Sequence, residues 1–376
     1  MWDSTSTSRT WSSSVRSCRR QDGDHPGSGG RCGRWSSSTR SCRRGTSVPD
    51  RGSSGCSVVI PTHNRRQSLL RTLAALARQS GMPSFEVVVI CDGCNDGSAA
   101  AVRRLFVPYR LRVIEQRQSG PAAARNAGVT AATEDVVVFI DDDVVPGPRF
   151  LAEHLGQHVD QPDLVVIGPL LPPAGWGSPW VRWEMRTLVK QYALMQEGDF
   201  RPGPRQFYTG NASVRRRHLL RAGGFDRRFV RAEDVELAFR LRGLGLSFAF
   251  VPGAAAQHLA DRSFDSWLLA ARQYGRNDVV LGRDQGRDDL LRAIGREYHE
   301  RHPLTRMSAR LAISARLPLR RVRPLVRLTA TAAQRAGAGR LAHALCSLAF
   351  SYQYWRGVAD ELGGGEAALA LVSKPA

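Results

Sequence analysis

Lysine is nearly absent from this 376-residue chain. Lys190 and Lys374 are the only two, so the formal charge of +20 rests on arginine. A GC-rich coding sequence explains such a bias as readily as a function does. The pI near 10.9 favours anionic partners without choosing between nucleotide phosphates, nucleic acid and acidic lipid headgroups. A disulfide framework is missing as well. The seven cysteines (Cys18, Cys32, Cys42, Cys56, Cys91, Cys94 and Cys346) are odd in number and irregular in spacing, which fits a reducing cytosol. Cys91 and Cys94 form a CxxC spacing with no second pair, so neither zinc nor redox chemistry is expected there. No apolar run approaches the roughly 20 residues that a spanning helix needs, and the amino terminus lacks the continuous apolar core of a signal peptide. The expectation is a soluble or peripheral protein, cytoplasmic and, where peripheral, at the inner face of the plasma membrane.

Residues 1–54 are rich in Ser, Arg, Gly and Cys and carry no apolar periodicity. Such a segment buries too little surface to offset its ordering entropy, so a disordered low-complexity tail is expected. It contains a duplication, since residues 11–20 recur at 35–44 with Val15 replaced by Thr39. From Cys56 the texture changes to short β-branched runs (57–60, 85–90, 111–114 and 136–140) alternating with helical patterns (65–79, 98–107 and 121–132). That alternation predicts βαβ units around a mostly parallel sheet. A further strand is expected at 164–167, a helix at 233–244 and a strand at 246–251. Beyond about 262 the chain reads as helical and more basic, with ten arginines and no acidic residue between Arg301 and Arg340. The expected organisation is therefore a tail (1–54), an α/β domain (55–260) and a basic helical region (261–376).

In an open parallel sheet, ligands bind outside the carboxyl ends of the strands. Three such positions carry polar groups here: Pro61, Thr62, His63, Asn64 and Arg65 after the first strand; Asp92 to Gly97 after the second; and Asp141, Asp142 and Asp143 after the fourth. Each alone is ordinary turn chemistry. Three at one edge suggest a metal and phosphate site. Adjacent carboxylates ending a buried strand repel one another and raise their own pKa values unless a cation is near. Hard oxygen ligands suit Mg²⁺ or Mn²⁺ completed by substrate phosphates.

Residues 57–65, the turn from Asp92 to Gly97, residues 120–128 and residues 139–143, in that order, resemble the successive signatures of glycosyltransferase family 2. Residues 209–213, 223–226 and 232–237 resemble that family's acceptor-side segment. The resemblance spans about residues 56–260 and implies a GT-A fold. It implies an inverting transfer from a UDP-, GDP- or dTDP-sugar to a glycan or lipid-linked hydroxyl, as in cell-envelope polysaccharide synthesis. By the same resemblance, Pro61, Thr62, Asn64 and Arg65 line the nucleotide pocket, Asp92 accepts a hydrogen bond from the base, and Arg125, with Asn126, approaches ribose or diphosphate. Asp141 and Asp143 form the DxD element around Asp142, Asp143 being the metal contact. Cys91 stands where the family usually has Asp, and Cys94 where Ser is common. Asp234 is implied as the general base, with Glu233 beside it, and Gly210 and Asn211 as acceptor-side residues.

Other residues are read on position alone. His258 follows a strand and is a candidate third metal ligand. Glu233 and Asp234 also suit a helix N-terminus through its dipole. Trp176, Trp180 and Trp183 lie between the acidic triplet and the implied base; aromatic faces suit sugar rings and equally suit packing. Arg316, Arg320, Arg323 and Arg327 recur at helical spacing among Leu317, Leu319, Val322, Leu325 and Val326, as in a basic helix lying on a membrane, although Pro318 and Pro324 oppose one straight helix. The competing reading is a nucleic-acid-binding protein using its arginine-rich ends; it has no use for the acidic triplet, and the transferase reading expects no nucleic-acid partner. A nucleotidyltransferase would need a Gly-rich, basic phosphate loop after the first strand, which is missing.

Overall fold

The computed structural model describes residues 55–373 apart from residues 83, 230, 285–287 and 315–318. The expected tail at 1–54 lies outside the described residues, as do Arg316, Leu317 and Pro318. Four parallel strands come first: β1 (Cys56–Thr62), β2 (Phe85–Asp92), β3 (Arg110–Gln116) and β4 (Val136–Ile140). They are linked by α1 (Arg66–Leu76), α2 (Ser98–Arg103) and α3 (Pro121–Ala131). Because successive strand side chains point to opposite faces, Val58, Ile60, Val87 and Val89 pack under Leu69, Leu73 and Leu76 of α1. Val59, Val88 and Ile90 meet Ala122, Ala124 and Val129 of α3 on the other face. Burial on both faces is why these strands read as unbroken β-branched runs. Gly128 lets α3 come down on the sheet, since a Cβ there would lie 2.3 Å from a Val59 methyl.

Beyond β4 the sheet stops being parallel. Three further strands, β6 (Leu164–Ile167), β8 (Asn211–Arg215) and β9 (Ser247–Phe250), extend it in the order β3-β2-β1-β4-β8-β6-β9. β8 runs antiparallel to both β4 and β6, pairing Asn211 with Ile140 and Ser213 with Val138. The segment expected on the acceptor side thus includes a central strand. Its sequence, Asn211 to Arg215, alternates polar and apolar residues but is short, and Val214 is its one β-branched residue. A second small sheet, β5-β10-β7, joins β5 (Val144–Pro146), β10 (Ala256–His258) and β7 (Leu170–Leu171).

The intervening helices are α4 (Phe150–Asp160), α5 (Pro179–Glu197), α6 (Arg216–Arg221) and α7 (Glu233–Gly243). The last part is helical as expected: α8 (Phe264–Asp284), α9 (Asp288–Glu300), α10 (Pro303–Ile313), α11 (Leu319–Arg335), α12 (Gly339–Glu361) and α13 (Gly365–Ser373). α11 contains Pro324 within a continuous helix. α8 and α12 touch backbone to backbone. A Cβ on Gly275 would fall 2.0 Å from the Tyr354 carbonyl oxygen, and one on Gly357 the same distance from that of Arg272. Arg272 bonds Asp360 across this crossing at 2.7 Å. Residue 261 marks no break in packing: Trp183 of α5 shares one hydrophobic core with Trp267 of α8 and Phe350 and Trp355 of α12.

Candidate active site

The carboxyl ends of β1, β2 and β4 open on a cleft of about 610 Å³, a size that suits a nucleotide-sized ligand; its walls include Pro61, His63, Asp92, Arg125, Asp143 and His258. After β1 the chain turns sharply at Asn64, whose φ of 54° lies in the left-handed region, a conformation Asn tolerates better than most residues. The Asn64 side-chain oxygen accepts from the Asn95 amide at 2.8 Å, and His63 Nδ1 bonds the Asp92 carbonyl oxygen at 2.6 Å. These two bonds lock the loops after β1 and β2 together. Asn64 therefore shapes the cleft from behind and is not among its walls.

Asp92 is buried and accepts from Gln116 Nε2 (2.7 Å) and the amides of Ser119 and Gly120 (both 2.8 Å). It organises the entry to α3 while still lining the cleft. Asn126 is not among the cleft walls. It bonds both the carbonyl oxygen (2.8 Å) and the amide (2.7 Å) of Phe225, tying α3 to the turn after α6. The expectation that Asn126 meets the nucleotide is corrected accordingly: its amide is consumed in a backbone clasp.

The acidic triplet is neutralised by arginine. Arg65 Nη1 donates to Asp142 Oδ1 at 2.9 Å and Asp143 Oδ2 at 2.7 Å, while Thr62 Oγ1 donates to Asp142 Oδ2 at 2.6 Å. Arg125, with only 7% of its side chain exposed, donates to Asp141 Oδ1 at 2.9 Å and to Glu233 Oε1 at 2.6 Å. Mutual repulsion among the three carboxylates, expected to require a metal, is thus already offset by two guanidinium groups. The members of the triplet differ as a result. Burial pushes Asp142 up to about 6 against the pull of Thr62 and Arg65. For Asp143 burial is outweighed by His258 and Arg65, which hold it well below the usual carboxylate range.

His258 sits at the end of β10, paired with Val144 of β5, and its Nε2 lies 3.4 Å from Asp143 Oδ1. Burial alone would lower its pKa, but Asp143 overrides this and raises it. Its Nδ1 is buried with no partner. As the side chains stand, no three His, Cys, Asp or Glu groups among the described residues converge to hold a metal. The donor chemistry nevertheless fits a hard divalent cation: carboxylates of Asp141 and Asp143, an adjacent imidazole, and an unpartnered buried ring nitrogen that marks His258 as incompletely satisfied.

Glu233 and Asp234 begin α7, directly after Ala232, whose φ of 58° is the second left-handed non-glycine conformation among the described residues. The two such conformations, at Asn64 and Ala232, both flank the cleft machinery, where backbone strain tends to collect. Glu233 is engaged by Arg125. Asp234, half-buried, accepts from the Val235 amide at 2.8 Å. Burial, reinforced by the neighbouring Glu233, pushes its carboxyl up to about 7. Neither residue is among the cleft walls; Glu233 is held by Arg125, which is.

Two expected acceptor-side residues have structural work instead. Asn211 is fully buried: its Oδ1 bonds His154 Nε2 at 2.8 Å, and its Nδ2 donates to the carbonyl oxygens of Pro169 (3.0 Å) and Ala254 (2.8 Å). It thereby fixes the two loops that lead into β7 and β10. Trp183 is 2% exposed and packs on Trp267 and Phe350 with ring centroids 5.5 and 4.7 Å away, so it cannot present a face to a sugar. Gly210 does border the site: a Cβ there would lie 3.1 Å from Asp141 Oδ2. The other two tryptophans hold the strap after β10. Trp176 Nε1 donates to the Ala260 carbonyl oxygen (2.9 Å) and Trp180 Nε1 to that of Arg262 (2.8 Å).

That strap supplies wall residues the sequence reading missed, Arg262 and Ser263, joined by Ser266 at the start of α8 and Arg231 from the turn before α7. In a chain so rich in arginine, nothing marks these two out. The buried pair His154 and His158, both bonded to Ser213 Oγ (3.0 and 2.8 Å), was also missed. Its i, i+4 spacing on α4 was the available signal.

Residues 57–224 match the model of the family described as Glycosyl transferase family 2. Among curated proteins, the chain is 27% identical over 246 residues to a hyaluronan synthase from Pasteurella multocida, covering 56% of this chain and 25% of that protein. It is 32% identical over 222 residues to a validoxylamine A glucosyltransferase from Streptomyces hygroscopicus subsp. limoneus, covering 50% and 48%. Among solved structures, the mannosyltransferase PcManGT from Pyrobaculum calidifontis, in complex with GDP-Man and Mn²⁺, superposes with a TM-score of 0.50 at 23% identity, covering 61% of this chain and 64% of that one. The chain spans from a quarter to about half the length of these curated relatives. The sheet and its cleft define a protein of the GT-A fold. Its residues 57–224 are similar to glycosyltransferase family 2.

Proposed function

We propose that the protein transfers a sugar from a nucleotide-sugar donor to a hydroxyl of a glycan or lipid-linked acceptor, with inversion at the anomeric carbon. The observation that carries this reading is the convergence on one cleft of the β1 loop, Asp92, Arg125, the acidic triplet and His258. The nucleotide lies along Pro61, His63 and Asp92, where Asp92 Oδ2 accepts from a single backbone amide and has a lone pair left for the base. Asp141, Asp143 and His258 are the residues that would hold Mg²⁺ or Mn²⁺, and such a cation would neutralise charge on the departing diphosphate. The acceptor oxygen attacks the anomeric carbon as the bond to the diphosphate breaks, and the hydroxyl proton passes to a carboxylate. Asp234 is the better base, because a carboxyl titrating near 7 matches neutral pH and Glu233 is already bonded to Arg125. Arg125 couples the two ends of the reaction, touching Asp141 on the donor side and Glu233 beside the base.

Calorimetric titration of UDP, GDP and dTDP, each with and without Mn²⁺, tests the donor site. Metal-dependent binding of one nucleotide, lost in Asp143→Ala, is expected. Absence of binding by folded protein overturns the reading.

A lipid-linked acceptor and a position at the inner face of the plasma membrane are part of the proposal. No helix among the described residues is long and apolar enough to cross a membrane. α11, however, turns Val322 and Val326 inward against the helical core while Leu325 and Leu328, each 62% exposed, face out beside exposed Arg327. A helix apolar on its outer face and basic beside it suits an anionic bilayer. Co-sedimentation with phosphatidylglycerol vesicles, reduced by Leu325→Ser with Leu328→Ser, checks this.

A further inference from the structure

Both carboxylate oxygens of Asp143 already face a basic side chain. Oδ1 faces His258 at 3.4 Å, and Oδ2 accepts from Arg65 at 2.7 Å. Asp142 is likewise engaged at both oxygens, one by Thr62 and the other by the same Arg65 nitrogen. A single Arg65 nitrogen thus sits between two adjacent carboxylates, where a bridging cation would be most stabilised. The two arginines of the site differ in how firmly they are held. Arg125 is enclosed, whereas Arg65 leaves 40% of its side chain exposed at the cleft. Arg65 arrives there because the left-handed Asn64 turns the chain just before α1, and Arg65 itself lines the cleft.

We propose that Arg65 is an internal counter-cation that keeps a divalent metal off Asp143 until a nucleoside diphosphate enters, and then transfers to that diphosphate. This rests on the nucleotide-sugar reading above. A divalent ion and a guanidinium crowded on the same carboxylates repel each other, so metal alone binds poorly. A diphosphate supplies negative charge for both cations: Arg65 leaves Asp143 to pair with phosphate oxygens, a geometry guanidinium favours, and the freed carboxylate oxygen becomes available to the metal. Metal and nucleotide then assist each other, and by linkage the enhancement is equal in both directions. The site would avoid free metal and commit it only with donor present.

The test is Mn²⁺ binding followed by electron paramagnetic resonance and calorimetry, with and without UDP or GDP, on the wild type, Arg65→Gln and Arg65→Leu. Wild type should bind Mn²⁺ weakly alone and much more tightly with the matching nucleotide. Both variants should bind Mn²⁺ alone about tenfold tighter or more and lose most of the nucleotide-dependent enhancement, consistent with removal of one competing charge. Leucine cannot form a new bond to Asp142, so agreement between the variants excludes a glutamine-specific effect. Unchanged or weaker Mn²⁺ binding in both overturns the proposal. Failure of the wild type to bind any nucleotide in saturating Mn²⁺ would instead overturn the transferase reading on which it rests.

Discussion

The donor side of the cleft and the side facing it are built by different means. On the donor side, Pro61, Thr62, Asp92 and Asp141 stand at or one residue beyond the ends of parallel strands, and the ladder from β3 to β4 sets their spacing. The facing side consists of irregular segments: the strap from Leu259 to Ser263, and the turn into α7. The strap is held by side chains remote in sequence, Trp176 and Trp180, and the turn by Asn277, which donates to the Arg231 carbonyl oxygen. Chemistry carried on strand ends inherits its precision from the backbone. Chemistry carried on straps depends on single side-chain bonds, and so is more easily perturbed and more easily retuned.

Substitutions on the two sides should therefore fail differently. The largest effect is expected at the chemical groups: Asp143→Ala should lower turnover by about 10² to 10³-fold and Asp234→Asn by about 10² to 10⁴-fold, read in a sugar-transfer assay with folding verified by circular dichroism. If Asp234→Asn retains near-normal turnover, the base does not lie on the facing side. Next is Gly275→Val, which forces α8 off α12 and should cost about 3 kcal/mol or more in thermal unfolding. Asn211→Ala removes the side-chain bonds to the Ala254 carbonyl oxygen and His154 Nε2 and one of the bonds to the Pro169 carbonyl oxygen; a loss of about 1 to 3 kcal/mol is expected, with weaker nucleotide binding because the strand carrying His258 loosens. A stability loss with unchanged binding would separate the strap from the donor site.

Asp234 gives a smaller, pH-dependent effect. Its folded pKa, about 7, lies above the ordinary carboxyl value, so the stability its neutral form contributes is present at low pH and lost as pH rises through about 7. Asp234→Asn should match the wild type in chemical denaturation near pH 4 and exceed it by about 1 kcal/mol at pH 8. Wild-type activity, requiring the ionised form, should rise across that same interval. The smallest effect is expected for Trp176→Phe, which deletes one indole bond to Ala260 and should cost roughly 1 kcal/mol. A loss of turnover as deep as that of Asp143→Ala would break the distinction between the two sides.

β1, β2, β4, α1 and α3 were readable because burial on both faces forces unbroken apolar runs, and because Leu69, Leu73 and Leu76 repeat at helical spacing; the edge strand β3, with no fully buried residue, was readable from Leu111, Val113 and Ile114. β6 and α7 were readable for the same reason. β8 was not, since a strand such as Asn211 to Arg215 is stabilised by its neighbours and not by its own composition. The short strands β5, β7 and β10 are equally beyond a local reading: two or three residues carry no period, and β10 pairs with β5 more than a hundred residues away and with β7 at Leu170, far from Ala256 in the chain. Among site residues, Asp92, Asp141, Asp143 and His258 were placed near the cleft by strand position; Asn126, read with the nucleotide, clasps Phe225, and Trp183, read equally for a sugar face and for packing, lies in the core.

What the sequence determined by itself is the parallel half-sheet, the edge at which the chemistry gathers and the acidic identity of that edge, because these follow from local periodicity and from the rule that strand ends face the ligand. Tertiary structure decided which cation meets which carboxylate. Arg65 and Arg125 are two among dozens of arginines, and only the turn at Asn64 and the descent of α3 onto the sheet at Gly128 bring them to Asp143 and Asp141. Charge pairing depends on distances of a few ångströms between residues far apart in the chain, and no local pattern encodes those distances.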